Sequence, residues 1–328
     1  MTVTLSEPDL CDARPNGANA ASLHRHLRER LGDSTVALLN SASAGLGTDL
    51  ASLNKRCAQL DLSRALSPAV FIAHYALLDA ITRNDSDAVR ASIASLSAFG
   101  THDWYAPGRT VDTVGATSWE ESVLARLRAH PVPDRFGRMT VIDPLSDDAL
   151  AGYRADVDEA LALIEAADPQ MRTEVDEFVR HVCLSRGSGI TGATSLQFFG
   201  AVFLREPYPE YHRVMYFFEH LVHETSHLRL NVVQTADPLV LNPPDELHRS
   251  PLRRDPRPVM GIFHAQFVLS RLVHIYRRAI PLVDAPIFAD HAKTIEDKFQ
   301  RGIGTLNEVG SFTETGRKLL DSMAGMAE

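Results

Sequence analysis

The residues best placed to do chemistry are His223-Glu224-Thr225-Ser226-His227. Two histidines four apart lie one turn apart on the same helix face, so their imidazoles can take adjacent positions on one metal ion. Glu224 sits about 100° round the helix from His223, where it can contact a metal-bound water or orient a ligand without binding the metal. The flanking Val214, Phe217, Phe218, Leu221, Val222, Leu228, Leu230 and Val232 make this helix apolar nearly all round. A buried helix must give its histidines and glutamate partners, which weighs against a run of surface histidines.

A catalytic metal site needs a third protein ligand. His264, in Gly261-Ile262-Phe263-His264-Ala265, lies 37 residues after His227 among apolar neighbours. Glu246, 19 residues after His227, is the alternative, within the polar run Asn242-Pro243-Pro244-Asp245-Glu246. Seven of the 14 histidines fall between residues 212 and 274. Of the other four, His220 shares the face of His223 and His227 and reads as support or packing, and His212, His248 and His274 read as ordinary side chains.

Between the two helices runs Ser250-Pro251-Leu252-Arg253-Arg254-Asp255-Pro256-Arg257-Pro258, a stiff cationic turn. Its bland reading is a charged surface turn with Asp255 pairing an arginine. Its functional reading is a carboxylate receptor, because guanidinium grips carboxylate with two parallel hydrogen bonds.

Taken together, His223–Leu228, the run 250–258 and Gly261-Ile262-Phe263-His264 resemble a bacterial family of HExxH-motif peptide-modification proteins. That family is described as 2-oxoglutarate-dependent HExxH-type peptide β-hydroxylases. Roughly residues 180–280 carry the pattern; the N-terminal part matches only in general character. The resemblance implies Fe(II), 2-oxoglutarate and O₂ as cofactors, with β-carbon hydroxylation of an amino-acid residue, typically in a peptide during natural-product maturation. On this view His223, His227 and His264 hold the metal, Arg253 or Arg257 binds the far carboxylate of 2-oxoglutarate, and Glu224 acts beside the metal. Two other readings stay open. One is a Zn(II) peptidase or amidase with Glu224 as general base and His264 or Glu246 as third ligand. The other is a non-enzymatic helical binding protein with a structural metal site.

The elements around these residues read as mainly α. The pattern predicts a mobile lead-in over 1–18, then helices near 20–31, 34–45, 48–60, 67–83, 86–99, 117–129, 146–167 and 169–184. Ser67-Pro68 and Ser146 supply helix starts. Thr117 or Ser118, followed by Glu120 and Glu121, can form a capping box. Residues 101–116 read as a structured loop and 140–142 as a strand. The glycine-rich stretch 185–204 predicts a β-hairpin beside the metal-binding helix. Helices near 209–234, 259–280, 286–300 and 311–326 follow. The expected fold is therefore α+β, mainly α with a small antiparallel sheet, and not a double-stranded β-helix barrel. The helical part 19–170 and the catalytic part 171–328 are expected to form one continuous unit.

Composition sets the frame. The chain has 328 residues, 45% hydrophobic and 23% charged, with net charge 33 − 42 = −9. An acidic balance argues against nucleic-acid partners and adhesion to anionic membranes. Cys11, Cys57 and Cys183 have no paired spacing, so no disulfide framework is expected. No segment reads as a targeting sequence, and the apolar run 69–81 is too short to span a bilayer, so a cytoplasmic location is expected.

Overall fold

The computed structural model describes residues 5–100, 102–250 and 255–326. The first half is built from α1 (Glu7–Cys11), α2 (Gly17–Leu46), α3 (Ala51–Ala58), α4 (Pro68–Thr82), α5 (Ser86–Ala98), β1 (Thr110–Thr113), α6 (Glu120–Ala129), β2 (Val141–Asp143) and α7 (Asp147–Ala167). Then come α8 (Pro169–Phe178), β3 (His181–Ser188), β4 (Gly192–Ala193), β5 (Ala201–Arg205), α9 (Arg213–Gln234), β6 (Leu247–His248), β7 (Arg257–Pro258), α10 (Val259–Ala279), α11 (Pro286–Val309) and α12 (Glu314–Met326). Ser67 and Ser146 cap α4 and α7 through their side chains, as their sequence context suggests. Glu120 folds back to accept from the amides of Gly115 and Thr117 in the turn before α6, whose cap position is Trp119, without a side-chain cap.

The protein is mainly α with a small sheet and no closed barrel. The sheet is mixed. Strands β1, β3 and β5 run parallel, while β2 and β4 add antiparallel to β3 and β5. The hairpin expectation for 185–204 thus holds only for β4 against β5. The helix expected over 169–184 stops at Phe178, because His181–Ser188 pairs in parallel with β1 and β5. That pairing is non-local, and local propensity does not reveal it. The two helices expected over 20–31 and 34–45 are one, α2, since the roughly 1 kcal/mol cost of a mid-helix glycine at Gly32 does not break a helix packed along its length.

The larger of two apolar cores extends from Ala13 to Met326, and a smaller one gathers Val123, Leu124, Cys183 and Phe203 between α6 and the sheet. Helix α9 lies at the centre of the larger one, packed on α2, α7, α8 and α10 and touching β4. By length and composition the segment Val259–Leu282 could cross a membrane, but 72% of its apolar window is buried inside the protein, as in a core helix.

The lead-in expected to be mobile is instead fixed over its described residues. Glu174 on α8 accepts from both Arg229 on α9 and Arg271 on α10, and all three are buried. The two guanidinium groups also donate to the carbonyls of Asp12 (2.7 Å), Ala13 (2.8 Å) and Arg14 (3.1 Å), and Asn16 N donates to Glu174 (2.6 Å). Backbone polarity needed by the lead-in and charge needed by the helices satisfy each other.

A second polar link joins α9, α10 and α11. Glu219 accepts from Tyr276 Oη (2.8 Å) and from His291. Burial alone would raise the Glu219 carboxyl, but the His291 hydrogen bond and the His220 and His291 charges outweigh it and hold it at about 2. A carboxylate depressed in the folded state contributes stability above its unfolded value, lost as pH falls through the folded one. We expect the thermal midpoint of the wild type to drop between pH 4.5 and 2 more steeply than that of Glu219→Gln. Parallel curves for the two proteins would contradict this assignment.

Candidate functional site

Helices α9 and α10 pack together and bring His223, His227 and His264 into contact. His227 Nε2 lies 3.0 Å from His223 Nε2, and its Nδ1 lies 2.6 Å from His264 Nε2. Two imidazole nitrogens about 2.1 Å from one ion, at right angles, are about 3 Å apart. His223 and His227 therefore stand at the spacing of adjacent ligands. His264 approaches through the other nitrogen of His227, so among the described residues no three side chains already surround one point as metal ligands do.

The chemistry of the donors fits a cation. Burial lowers His223 to about 4, with the neighbouring His220 adding to the effect. Burial lowers His264 to about 4 and His227 well below the ordinary histidine value. All three are neutral near pH 7, the protonation state in which an imidazole can ligate a metal. Ring nitrogens face ring nitrogens there, linked by hydrogen bonds from His223 through His227 to His264. Each ring also keeps a partial opening to solvent, so the cluster is accessible.

Glu224 is buried and has no hydrogen-bond partner among the described residues, and burial raises it to about 8. It abuts Gly192 on β4: a Cβ added there would lie 2.3 Å from Glu224 Oε1. The glycine lets the edge strand pass α9, as Gly187 lets β3 approach β2, where a Cβ would meet Val141 O at 2.0 Å. Because the obstructed atom is the tip of a flexible side chain, Gly192→Ala is expected to keep the wild-type melting temperature within a few degrees while moving Glu224. Any activity that depends on Glu224 should fall to the level of Glu224→Gln. Undiminished activity in Gly192→Ala would mean that the carboxyl position does not matter.

The other histidines have structural partners. His220 stacks on Tyr216 (4.1 Å between centroids) and contacts its carbonyl through Nδ1 at 2.8 Å. His212 caps α9 by accepting from Met215 N (3.3 Å). His274 contacts Asp168, the cap of α8, at 2.6 Å. His248 contacts Glu246 at 2.6 Å, and Asn242 also donates to that carboxylate. Glu246, the alternative third ligand, is thus engaged in its own loop, while His264 meets the motif.

The arginine turn is only partly described. Arg253 lies outside the described residues, with Pro251, Leu252 and Arg254. Arg257 pairs at the surface with Asp255 (2.7 Å), on β7 opposite His248, which matches the bland reading of the turn. Sequence reasoning missed Gly192 and the Glu174–Arg229–Arg271 network behind the histidines. Two arginines inside the otherwise apolar helices α9 and α10 were the available signal for the network.

No protein-family model matches the chain, and no curated protein matches it.

Proposed function

We propose that the chain is an Fe(II)- and 2-oxoglutarate-dependent oxygenase that hydroxylates the β-carbon of an amino-acid residue, most naturally within a peptide. The observation that carries the proposal is the meeting of His264 with His223 and His227 in a neutral, accessible three-imidazole cluster. The resemblance of residues 223–228, 250–258 and 261–264 to the peptide β-hydroxylases favours iron and a keto acid over zinc and water.

Bound iron would supply the redox chemistry by which 2-oxoglutarate, O₂ and a C–H bond give succinate, CO₂ and a C–OH group. The chain's residues do the positioning. His223, His227 and His264 would hold the metal, and all three being neutral leaves its full positive charge for anionic ligands. Glu224, pressed against the β4 backbone, is placed to orient a neighbouring group by hydrogen bonding.

The zinc hydrolase reading asks Glu224 to act as a base. Burial pushes that carboxyl up to about 8 in the absence of a cation, and a bound metal would draw it back down. To separate the readings, metal-free protein is reconstituted anaerobically with Fe(II) or Zn(II) and given 2-oxoglutarate and O₂. Iron-dependent succinate formation is the expected result. Zinc-dependent cleavage of a peptide mixture without succinate would replace the oxygenase by the hydrolase.

A further inference from the structure

Nine large hydrophobic side chains are exposed among the described residues, and four of them, Val132, Phe136, Met139 and Val141, lie within residues 132–141. The loop that carries them is tied down. Asp134 turns the chain by accepting from the amides of Phe136 and Arg138 (both 2.9 Å). Val132 N donates to Thr140 Oγ1 (2.9 Å), and Ser188 on β3 donates to the carbonyl of Met139 (2.6 Å). Gly189 passes close by with a φ of +83°, where a Cβ would lie 2.5 Å from Thr140 Cα. A loop closed in this way presents apolar surface that need not be ordered on binding.

The same surface is cationic. Residues 126–141 carry four arginines and one aspartate, in a chain of net charge −9. Arg135 and Arg138 each lie 5.1 Å from the Tyr208 ring centre, and the buried Arg205 lies 3.9 Å from it. Among the described residues two carboxylates serve these three guanidinium groups. Asp134 is shared by Arg138 (2.8 Å), Tyr208 Oη (2.6 Å) and the two loop amides, and its side chain is buried. Glu210 pairs with Arg135 at the surface. Positive charge is therefore in excess, and the side chains of Arg135 and Arg138 remain about half exposed, at 45% and 52%. Exposed ion pairs contribute little, so an incoming carboxylate can exchange into them.

The patch leads towards the histidines. Tyr208, Tyr211, Tyr216, His220 and His223 follow one another with ring centres 4.1 to 6.3 Å apart. Roughly seven extended residues, at about 3.3 Å each, cover that row. Strand β2, which bears Val141, pairs with β3 and with no other strand among the described residues. A free strand edge offers backbone groups to an extended peptide.

We propose that loop 132–141, with β2 and the arginines around Tyr208, docks an extended segment of the peptide substrate rich in apolar and acidic side chains. Resting on the proposed function, this names where the peptide is held and which side chains it carries there. The strand edge and the row of rings favour a peptide over an anionic membrane, which would use neither.

The test is fluorescence anisotropy of the full-length protein, metal-free and Fe(II)-loaded, with three labelled peptides. These are short polymers of valine and glutamate, valine and lysine, and serine and glutamate. The valine–glutamate peptide should bind at least about 10-fold more tightly than either of the others. Phe136→Ser with Met139→Ser should weaken it by about 10-fold or more, and Arg135→Gln should narrow the gap between the glutamate and lysine peptides. These variants change exposed side chains and should melt within a few degrees of wild type. Equal binding of the glutamate and lysine peptides, or undiminished binding by the serine variant, overturns the inference and leaves the oxygenase reading standing on its succinate test. Binding to phosphatidylserine vesicles that the serine variant loses, without the peptide preference, replaces the peptide by a membrane. The peptide preference in a protein that forms no iron-dependent succinate supports the docking surface and overturns the oxygenase.

Discussion

His227→Ala is expected to release iron from the protein and to lower succinate formation by more than about 100-fold, beyond the usual cost of changing a residue outside the metal's own ligands. His227 is the central member of the cluster, with one nitrogen toward His223 and the other toward His264. The metal-free variant should still fold, with a modest loss of thermal stability from the space and the two hydrogen bonds removed. Glu246→Ala should bind iron as wild type does, since its carboxylate serves His248 and Asn242. Dialysis against a weak chelator followed by metal analysis reads both variants. Full iron retention by His227→Ala would remove the cluster as the metal site.

Glu174→Ala is expected to cost about 3–5 kcal/mol, the range for leaving a buried charge uncompensated, out of a typical total of roughly 5–15 kcal/mol. Arg229 and Arg271 would both lose their carboxylate while remaining buried. Residues 12–16, whose backbone these side chains bind, should lose protection from hydrogen exchange first. The two arginines come from α9 and α10, so the network also fixes the spacing of the helices that carry the histidines. Denaturant titration of Glu174→Ala measures the cost, and a loss below about 1 kcal/mol would show that the network is dispensable.

These two sites differ in how far the sequence discloses them. His223 and His227 are legible because their relation is local, one helical turn, and helix geometry fixes it. His264 is legible through its apolar neighbours and the order of motifs. Glu174 is not, since nothing near it in the chain shows that it meets arginines from two later helices. The helices are readable from their caps and apolar spacing, whereas β3 was read as the end of a helix because its partners lie some 70 residues before it and 20 after it. In the arginine turn, Arg257 pairs with Asp255 two residues away, while Arg253 and Arg254 lie outside the described residues.

X-ray absorption at the iron edge of the anaerobic Fe(II)-loaded protein, wild type beside His264→Ala, tests the central claim most directly. The expected wild-type spectrum contains three imidazoles in the first coordination sphere, falling to two in His264→Ala. An imidazole count unchanged by the substitution, or no iron bound to the wild type at all, would contradict a metal centre built from His223, His227 and His264.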